Sequence, residues 1–516
     1  MENLFNKLLA YYSISLEEYQ SLTKPISEIK LPNPKEINGM DKVVLRINNA
    51  IKNKEKIIVY GDYDCDGICA TTIMIKTFEK LNFNAAYYIP SRYIDGNGLN
   101  IANVNKIAKA GYKLIICVDN GISANDAIEE AKKLGVDVIV IDHHEPSKEL
   151  PDAKGIIHPT ICKIGDVIGS GGCMSLFVSA ALLGKYDDYL ITLAGLSTIS
   201  DLMELKSYNR DLVRLAIDNL SRYRYLPLRL LTEKQIINEK SFSLEIAPKI
   251  NAIGRVIEDT TINRLVKYLL NNKDEEIFLL KEWINDINEE RKLLTIEAIN
   301  TLPSIDTQKG ICLLTTMKEG LIGLMCNKLL QIHNVPVIIF TKNAQDNTLL
   351  KGSIRSKNGF NVSKAFKSLE KYIINGGGHA LAGGLEIKES DFDLFKKEFI
   401  ELCSKHQFIE DDKENIEISI SDINLENYEI VNSFSPFGMG FNEPTFIVKN
   451  LPTKNLKFTA DEKHLSTSLT MKTKLLGFNM NQNEVKSRQN IDIIGTFNLN
   501  EFKGIKTLEY RIQKYK

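Results

Sequence analysis

The sequence predicts an α/β protein: a parallel-sheet domain, a second α/β domain joined to it by a long helix, and a small C-terminal β-barrel. Three observations carry that prediction. Short apolar runs alternate with amphipathic stretches from residue 56 to 141. A charged stretch with apolar residues at helical spacing occupies 271–301. Beyond residue 445, short strand-like runs replace the helical patterns and the charge balance inverts.

In order, KIIVY (56–60), AAYYI (85–89), KLIICV (113–118) and DVIVI (137–141) are short and apolar on both faces, as strands of a covered parallel sheet must be. Helical stretches such as ATTIMIKTFEKL and ANDAIEEAKKLG separate them. From about Met174 to Leu302 the pattern is helical, ending in DEEIFLLKEWINDINEERKLLTIEAINTL, long enough to reach from one domain to the next. A second α/β unit begins near Gly310, with GICLLT and PVIIFT as strands, and runs to about His406. Residues 401–445 hold 10 acidic and 2 basic residues, a net of −8, whereas 446–516 hold 13 basic and 6 acidic, a net of +7. Within the latter, TFIVKN, IDIIGTF and KTLEYRI read as strands, with no helix expected. The expected organisation is an N-terminal segment 1–40, a first domain 41–270, a connecting helix 271–301, a second domain 302–406 and a barrel 407–516.

The 516 residues carry 65 Lys plus Arg and 66 Asp plus Glu, a net charge of −1, with 43% hydrophobic and 25% charged residues. That composition excludes a disordered chain, a collagen-like repeat and a small disulfide scaffold. It also excludes coating of nucleic acid by bulk charge, so any phosphate-rich partner must meet local patches, of which 446–516 is the most basic. The eight cysteines form no CxxC pair and sit largely in apolar runs, as buried thiols of a reducing compartment do. MENLFNKLLAYY lacks the charge and apolar length of a signal peptide, and no window is apolar enough for a membrane span. A cytoplasmic protein without membrane contact is expected.

The chemistry concentrates at predicted strand ends. GDYDCDG (61–67) follows the first strand, and its Asp62, Asp64 and Asp66 would repel one another without a cation between them. The EF-hand alternative fails because its twelfth position, counted from Asp62, is Ile73 rather than Glu. Asp201 follows the apolar run LITLAGLSTI, where alone it reads as a helix-terminus residue, while LIICV runs into Asp119-Asn120-Gly121 and DVIVI into Asp142-His143-His144. Open α/β sheets bind ligands at such carboxyl ends. A set mixing carboxylates with imidazole suits Mn²⁺ or Mg²⁺ more than zinc. NGGGHALAGG (375–384) reads as a loop whose glycine N–H groups approach phosphate, with His379 as a further donor.

In this order GDYDCDG, VDNG, IDHHE and ISD resemble the four motifs of the DHH phosphoesterase superfamily. KINAIGR (249–255), KGSIRS (351–356), NGGGHALAGG and SPFGMGFNEPTF (435–446) narrow the resemblance to the RecJ family of single-strand-specific 5′-to-3′ exonucleases. That resemblance runs from about residue 40 to the C-terminus. It implies a DHH catalytic domain, a DHH-associated substrate-binding domain and an OB-like nucleic-acid-binding barrel. It implies metal roles for Asp64, Asp66, Asp119, His143 and Asp201, with Asp62 ranked below them. His144 would contact the scissile phosphate or support the metal shell, and Asp142 would orient its neighbours. Arg255, Ser353 and Arg355 would hold the terminal 5′ phosphate, with Gly376, Gly377, Gly378 and His379 contacting substrate.

The chain departs from the family pattern in places. Tyr60 stands where several relatives have a His, Met317-Lys318 where Trp-His often precedes Glu-Gly, and Phe502 where a Trp is common. Phe441, Phe446, Phe458 and Tyr510 are either base-stacking residues or barrel core, with core expected for most. The implied activity is Mn²⁺- or Mg²⁺-dependent hydrolysis of single-stranded DNA from its 5′ end, in repair and recombination. The alternatives are a DHH oligoribonuclease or cyclic-dinucleotide phosphodiesterase, and a non-catalytic replication scaffold. A helicase or a single-strand-binding protein is the class of protein partner the resemblance admits. Removing residues from about 425 onward is expected to weaken binding of long strands while sparing slow cleavage of short ones.

Overall fold

The structure, a computed structural model, describes residues 3–96, 98–223, 225–300, 302, 309–357, 359–378, 380–406, 415–502 and 504–516. His379 therefore lies outside the described residues, as does the Phe502 side chain. The first sheet comprises β1 (Ile57–Tyr60), β2 (Ala86–Tyr88), β3 (Leu114–Val118), β4 (Asp137–Ile141) and β5 (Gly155–Ile157). All its pairs are parallel, in the order β2-β1-β3-β4-β5. The chain leaves β1 for β2 on one side and returns to β3 on the other. The crevice between β1 and β3 is thus a topological switch point, where ligands of such sheets bind.

The predicted helices lie at Cys65–Lys80 and Asn125–Lys133. Helices Gly171–Leu183 and Asp188–Ser200 are buried along most of their length, as their continuous apolar sequence requires. The long helix spans Asp274–Asn300 and packs on both the Ala247–Val256 helix of the first domain and the Glu319–His333 helix of the second. The second sheet contains β6 (Ile311–Leu314), β7 (Val337–Lys342), β8 (Leu349–Arg355), β9 (Ile373–Gly378) and β10 (Ala382–Lys388), ordered β6-β7-β8-β10-β9. Along β8, Leu350, Gly352 and Ile354 point into the core, leaving Lys351, Ser353 and Arg355 on the opposite face.

The C-terminal unit is a six-stranded sheet of β11 (Ile416–Glu417), β12 (Phe446–Pro452), β13 (Leu465–Thr470), β14 (Thr473–Gly477), β15 (Asn490–Phe502) and β16 (Ile505–Tyr515). A short helix, Gln482–Lys486, stands where none was expected, capped by Asn481 accepting from the Asn483 and Glu484 N–H groups. At five residues it is too short for apolar periodicity to register. The largest hydrophobic core runs without a break from Leu4 and Leu8 through the first domain's helices to Phe446 and Tyr510. The C-terminal sheet therefore packs back on the first domain, while the second domain keeps cores of its own. All eight cysteines are buried and free. Among the described residues, no helix is long and apolar enough to cross a membrane.

Candidate metal centre and phosphate pocket

The strand ends converge as the motifs suggested. Asp64 caps the Cys65–Lys80 helix, its Oδ1 accepting from Gly67 N–H at 3.0 Å. Asp66, in the first turn, accepts from Gly171 N–H (2.8 Å), Gly172 N–H (2.7 Å) and the Ser197 hydroxyl. A Cβ on Gly172 would lie 2.4 Å from Ser197 Oγ, so this approach needs glycine. Asp119 leaves β3 with φ +61, a left-handed conformation that only a few residue types, Asp among them, adopt readily. His143 Nε2 lies 3.1 Å from Asp119 Oδ1, 3.4 Å from Asp201 Oδ2 and 3.6 Å from Asp66 Oδ2. Asp62, Asp64 and Asp119 present a second convergent set, so Asp62 belongs with the cluster it was ranked below.

Asp142 organises the two histidines. Its Oδ1 accepts from the His143 N–H (2.7 Å) and lies 2.8 Å from His144 Nδ1, while Oδ2 accepts from Ile122 N–H at 3.0 Å. Burial opposes the Asp142 carboxylate, but His144 and these N–H donors outweigh it and lower its pKa. Burial likewise opposes a charged His144, and the hydrogen bond and charge of Asp142 overcome it, raising His144 to about 9. The His144 ring is half-exposed, whereas that of His143 is buried. Tyr60 is no substitute for the missing family histidine. Its hydroxyl donates to Gly98 O at 3.2 Å and accepts from Asn103 Nδ2 at 3.0 Å, on the opposite face of the sheet.

Burial first and mutual repulsion second push these carboxyl groups up: Asp62 to about 7, Asp201 to about 8, with Asp64 and Asp119 also raised. A cation would relieve both costs at once. The donors are oxygens and imidazole nitrogen. The nearby Cys69 and Cys173 thiols are held neutral by burial, which raises their pKa. The donor set fits Mn²⁺ or Mg²⁺.

A cluster of opposite sign adjoins the first. Arg255 Nη1 donates to Gly320 O at 3.1 Å. Arg355 Nη1 donates to Ser353 Oγ at 3.1 Å and to Ile354 O at 2.7 Å. The Glu319–His333 helix fits between them because it carries glycine at two facing positions. A Cβ on Gly320 would lie 2.5 Å from Arg255 O, and one on Gly323 would lie 3.1 Å from Arg355 Nη2. Burial, then the charges of Arg92, Arg291 and Arg355, lowers Arg255 to about 10, while Asp64 pulls it the other way. Arg92 stacks over Tyr63 with 4.2 Å to the ring centroid. Lys318, at the altered Met317-Lys318 position, ties the domains by donating to Val256 O (3.1 Å) and pairing with Glu258 (2.7 Å).

Not every expectation is met. Gly376, Gly377 and Gly378 form the exposed edge strand β9, paired with Leu385, Gly384 and Gly383, rather than a cradling loop. Glycine tolerates extended pairing, and the hairpin partner β10 supplies the backbone bonds that hold it there. The aromatics do meet theirs: Phe441, Phe446 and Tyr510 are buried core, as expected for most of the four, and Phe458 is half-buried beneath Lys486. Sequence reasoning missed Arg92, Arg291, Ser197, the Gly171–Gly172 pair and Phe478. Phe478 follows β14, is 64% exposed and meets His464 edge-on at 5.6 Å. The one legible signal among them was the small-residue run GSGG (169–172) at a helix start.

Models of known families match three segments in order: the DHH family N-terminal domain over 56–198, the DHHA1 domain over 309–405 and the RecJ OB domain over 415–514. The chain is 31% identical over 506 residues to the single-stranded-DNA-specific exonuclease RecJ of Bacillus subtilis, covering 93% of this chain and 64% of that relative's length. With the Escherichia coli protein of the same name, identity is 28% over 457 residues, covering 80% of this chain and 78% of the relative. The crystal structure of Thermus thermophilus RecJ in complex with Mn²⁺ shares the fold at a TM-score of 0.83 and 22% identity, covering 99% of this chain and 77% of that one. A crystal structure of exonuclease RecJ bound to manganese matches at a TM-score of 0.61 and 26% identity, covering 72% of this chain and 95% of that one. With the DHH motifs converging at the switch point of a parallel sheet and an OB domain packed behind it, this chain carries DHH, DHHA1 and RecJ OB segments in order and is similar over most of its length to RecJ exonucleases.

Proposed function

We propose that this chain is a metal-dependent exonuclease that hydrolyses single-stranded DNA from its 5′ end and releases 5′-mononucleotides, as a cytoplasmic enzyme of repair and recombination. The observation carrying this reading is the arginine cluster set directly beside the carboxylate cluster. The Asp64 charge acts on Arg255, and the Arg255-bearing helix is tied to the first motif by Cys65 N–H donating to Asn251 Oδ1 at 2.8 Å. A terminal phosphate held by the arginines would place the first phosphodiester near the carboxylates.

Asp64, Asp66, Asp119, His143 and Asp201, with Asp62, would hold Mn²⁺ or Mg²⁺. The ion would supply Lewis acidity toward the phosphoryl group and a lowered pKa for water. His144, kept protonated by Asp142, donates to a non-bridging phosphate oxygen from its exposed edge. Arg255, Arg355 and Ser353 grip the 5′ phosphate, a task suited to a planar fork of donors. The exposed β9 edge of Gly376–Gly378 offers backbone N–H groups to the strand behind it. The basic C-terminal sheet tracks the remaining nucleotides, on strands that a helicase or a single-strand-binding protein has exposed.

Of the alternatives, an oligoribonuclease or cyclic-dinucleotide phosphodiesterase leaves the OB domain without a role, and a scaffold leaves the intact, self-repelling donor set without one. Purified chain is to be incubated with equal lengths of single-stranded DNA, single-stranded RNA and duplex DNA, with Mn²⁺ or with chelator. Degradation of the single-stranded DNA alone, abolished by chelator, is expected. Preferential loss of short RNA, or chelator-insensitive turnover, would sink the reading.

A further inference from the structure

Of the three carboxylates around His143, Asp201 is the least enclosed: its side chain is 31% exposed, against 1% for Asp66 and 2% for Asp119. It closes the Asp188–Ser200 helix, after which the chain turns through Leu202 (φ +55) and Ser207 (φ +47), both left-handed. A branched residue such as Leu adopts that conformation only when its surroundings impose it.

Two elements impose it. From within the first domain, buried Asn209 donates through Nδ2 to Ile168 O (2.8 Å) and Glu204 O (3.1 Å). From the C-terminal unit, the 434–441 turn lies against the other side. Leu205 N–H donates to Met439 O at 2.9 Å, and a Cβ on Gly438 would stand 2.8 Å from Leu205 Cδ1. Arg210, just beyond the turn and 1% exposed, donates to three successive carbonyls of the same segment: Phe434 O (2.7 Å), Ser435 O (2.9 Å) and Pro436 O (2.9 Å). Its guanidinium sits 4.6 Å over the Phe441 ring, which stacks on Tyr12 at 4.1 Å, and the Tyr12 hydroxyl donates to Asn442 O at 2.7 Å. A buried cation held by carbonyls is costly to leave half-bonded, so this grip fixes the 434–441 turn in one place.

We propose that Arg210 and the 434–441 turn are positioning elements for Asp201, so that the C-terminal unit sets the cation affinity of the first domain as well as holding nucleic acid. This rests on the metal-binding reading of Asp201 given above. It also changes one expectation: removing residues from about 425 onward takes away the Arg210 partners and should impair even short substrates.

Mn²⁺ binding to the full chain, followed by isothermal titration calorimetry and by the loss of the free-ion electron paramagnetic resonance signal, separates the two ideas. Arg210→Met keeps the length of the stem and removes the grip. Leu205→Ala loosens the same contact without touching a charge and decides the matter if Arg210→Met does not fold. Each folded variant is expected to bind Mn²⁺ about tenfold more weakly, as loss of a partner outside the ligands commonly does. Raised Mn²⁺ should restore turnover of a short oligonucleotide. Met471→Ala, on the fully exposed surface of the C-terminal unit, should bind Mn²⁺ as the unaltered chain does. Absence of Mn²⁺ binding by the unaltered chain would remove the metal reading itself. Unchanged Mn²⁺ affinity in a folded Arg210→Met or Leu205→Ala chain would overturn the positioning role alone.

Discussion

The carboxylate cluster of the first domain and the arginine cluster facing the second are mirror images in electrostatic design. In one, burial and like charge push Asp62, Asp119 and Asp201 up. In the other, burial lowers Arg355, and burial with like charge lowers Arg255. Each is uncomfortable alone, and each is relieved by a ligand of opposite sign. They differ in how they are held. The carboxylates hang on buried strand and helix ends of one domain, whereas the arginine pocket closes only where Arg255 meets the Glu319–His333 helix across a domain boundary. The first is set within one domain, whereas the second depends on how two domains meet.

The largest expected effect breaks the first cluster. His143→Ala should cut turnover by at least about a hundredfold, since it removes a donor that three carboxylates face. Binding of a 5′-phosphorylated strand, measured by fluorescence anisotropy, should persist. Next comes the second cluster. Arg355→Ala should lower the preference for a 5′-phosphate over a 5′-hydroxyl end by about tenfold or more, the worth of a charge-assisted bond. Competition between the two substrates reads this directly, and an unchanged ratio would remove Arg355 from the phosphate pocket.

Smaller effects lie outside both clusters. Phe478→Ala should weaken binding of long single strands by about 1–3 kcal/mol, the usual worth of a base stack, while leaving trinucleotides unaffected. Equal losses on both lengths would point to misfolding instead. Glu239 sharpens the contrast, being a buried carboxyl group with one unpartnered oxygen, raised by burial and set in neither cluster. A carboxyl raised in the folded state lends its stability below its unfolded pKa and loses it as pH rises. Glu239→Gln should therefore stabilise the chain by about 1 kcal/mol near pH 8. The gain should shrink as pH falls toward about 4.3, the ordinary glutamate value. Thermal melts across that range check it.

Much of the candidate metal centre was legible because its residues follow apolar runs, and an apolar run stopping at Asp or His has few packing explanations. Asp119, Asp142, His143 and His144 follow strands, Asp64 and Asp66 open the helix after β1, and Asp201 closes a helix. Arg92 and Arg291 were not legible, since a single arginine carries no pattern and gains meaning only when a fold brings others to it. The glycines of β9 were misread as a loop because glycine runs favour turns locally, and here a long-range partner strand overrides that preference. Phe441, Phe446 and Tyr510 are core, as expected for most of the aromatics, but exposed Phe478 carried no signal: alternation along a strand tells which residues share a face, not which face is covered. The grip of Arg210 on the 434–441 turn links residues more than 220 positions apart, beyond any local pattern.

The pairing of a cation site with a terminal-phosphate pocket is tested most directly by the order in which nucleotides leave. A single-stranded oligonucleotide carrying a 5′ label, and its twin carrying a 3′ label, are to be digested with Mn²⁺ under single-turnover conditions. The expected result is immediate release of a labelled mononucleotide from the first and a descending ladder ending in late release from the second. Early mononucleotide release from the 3′-labelled strand would contradict the pairing of the two clusters.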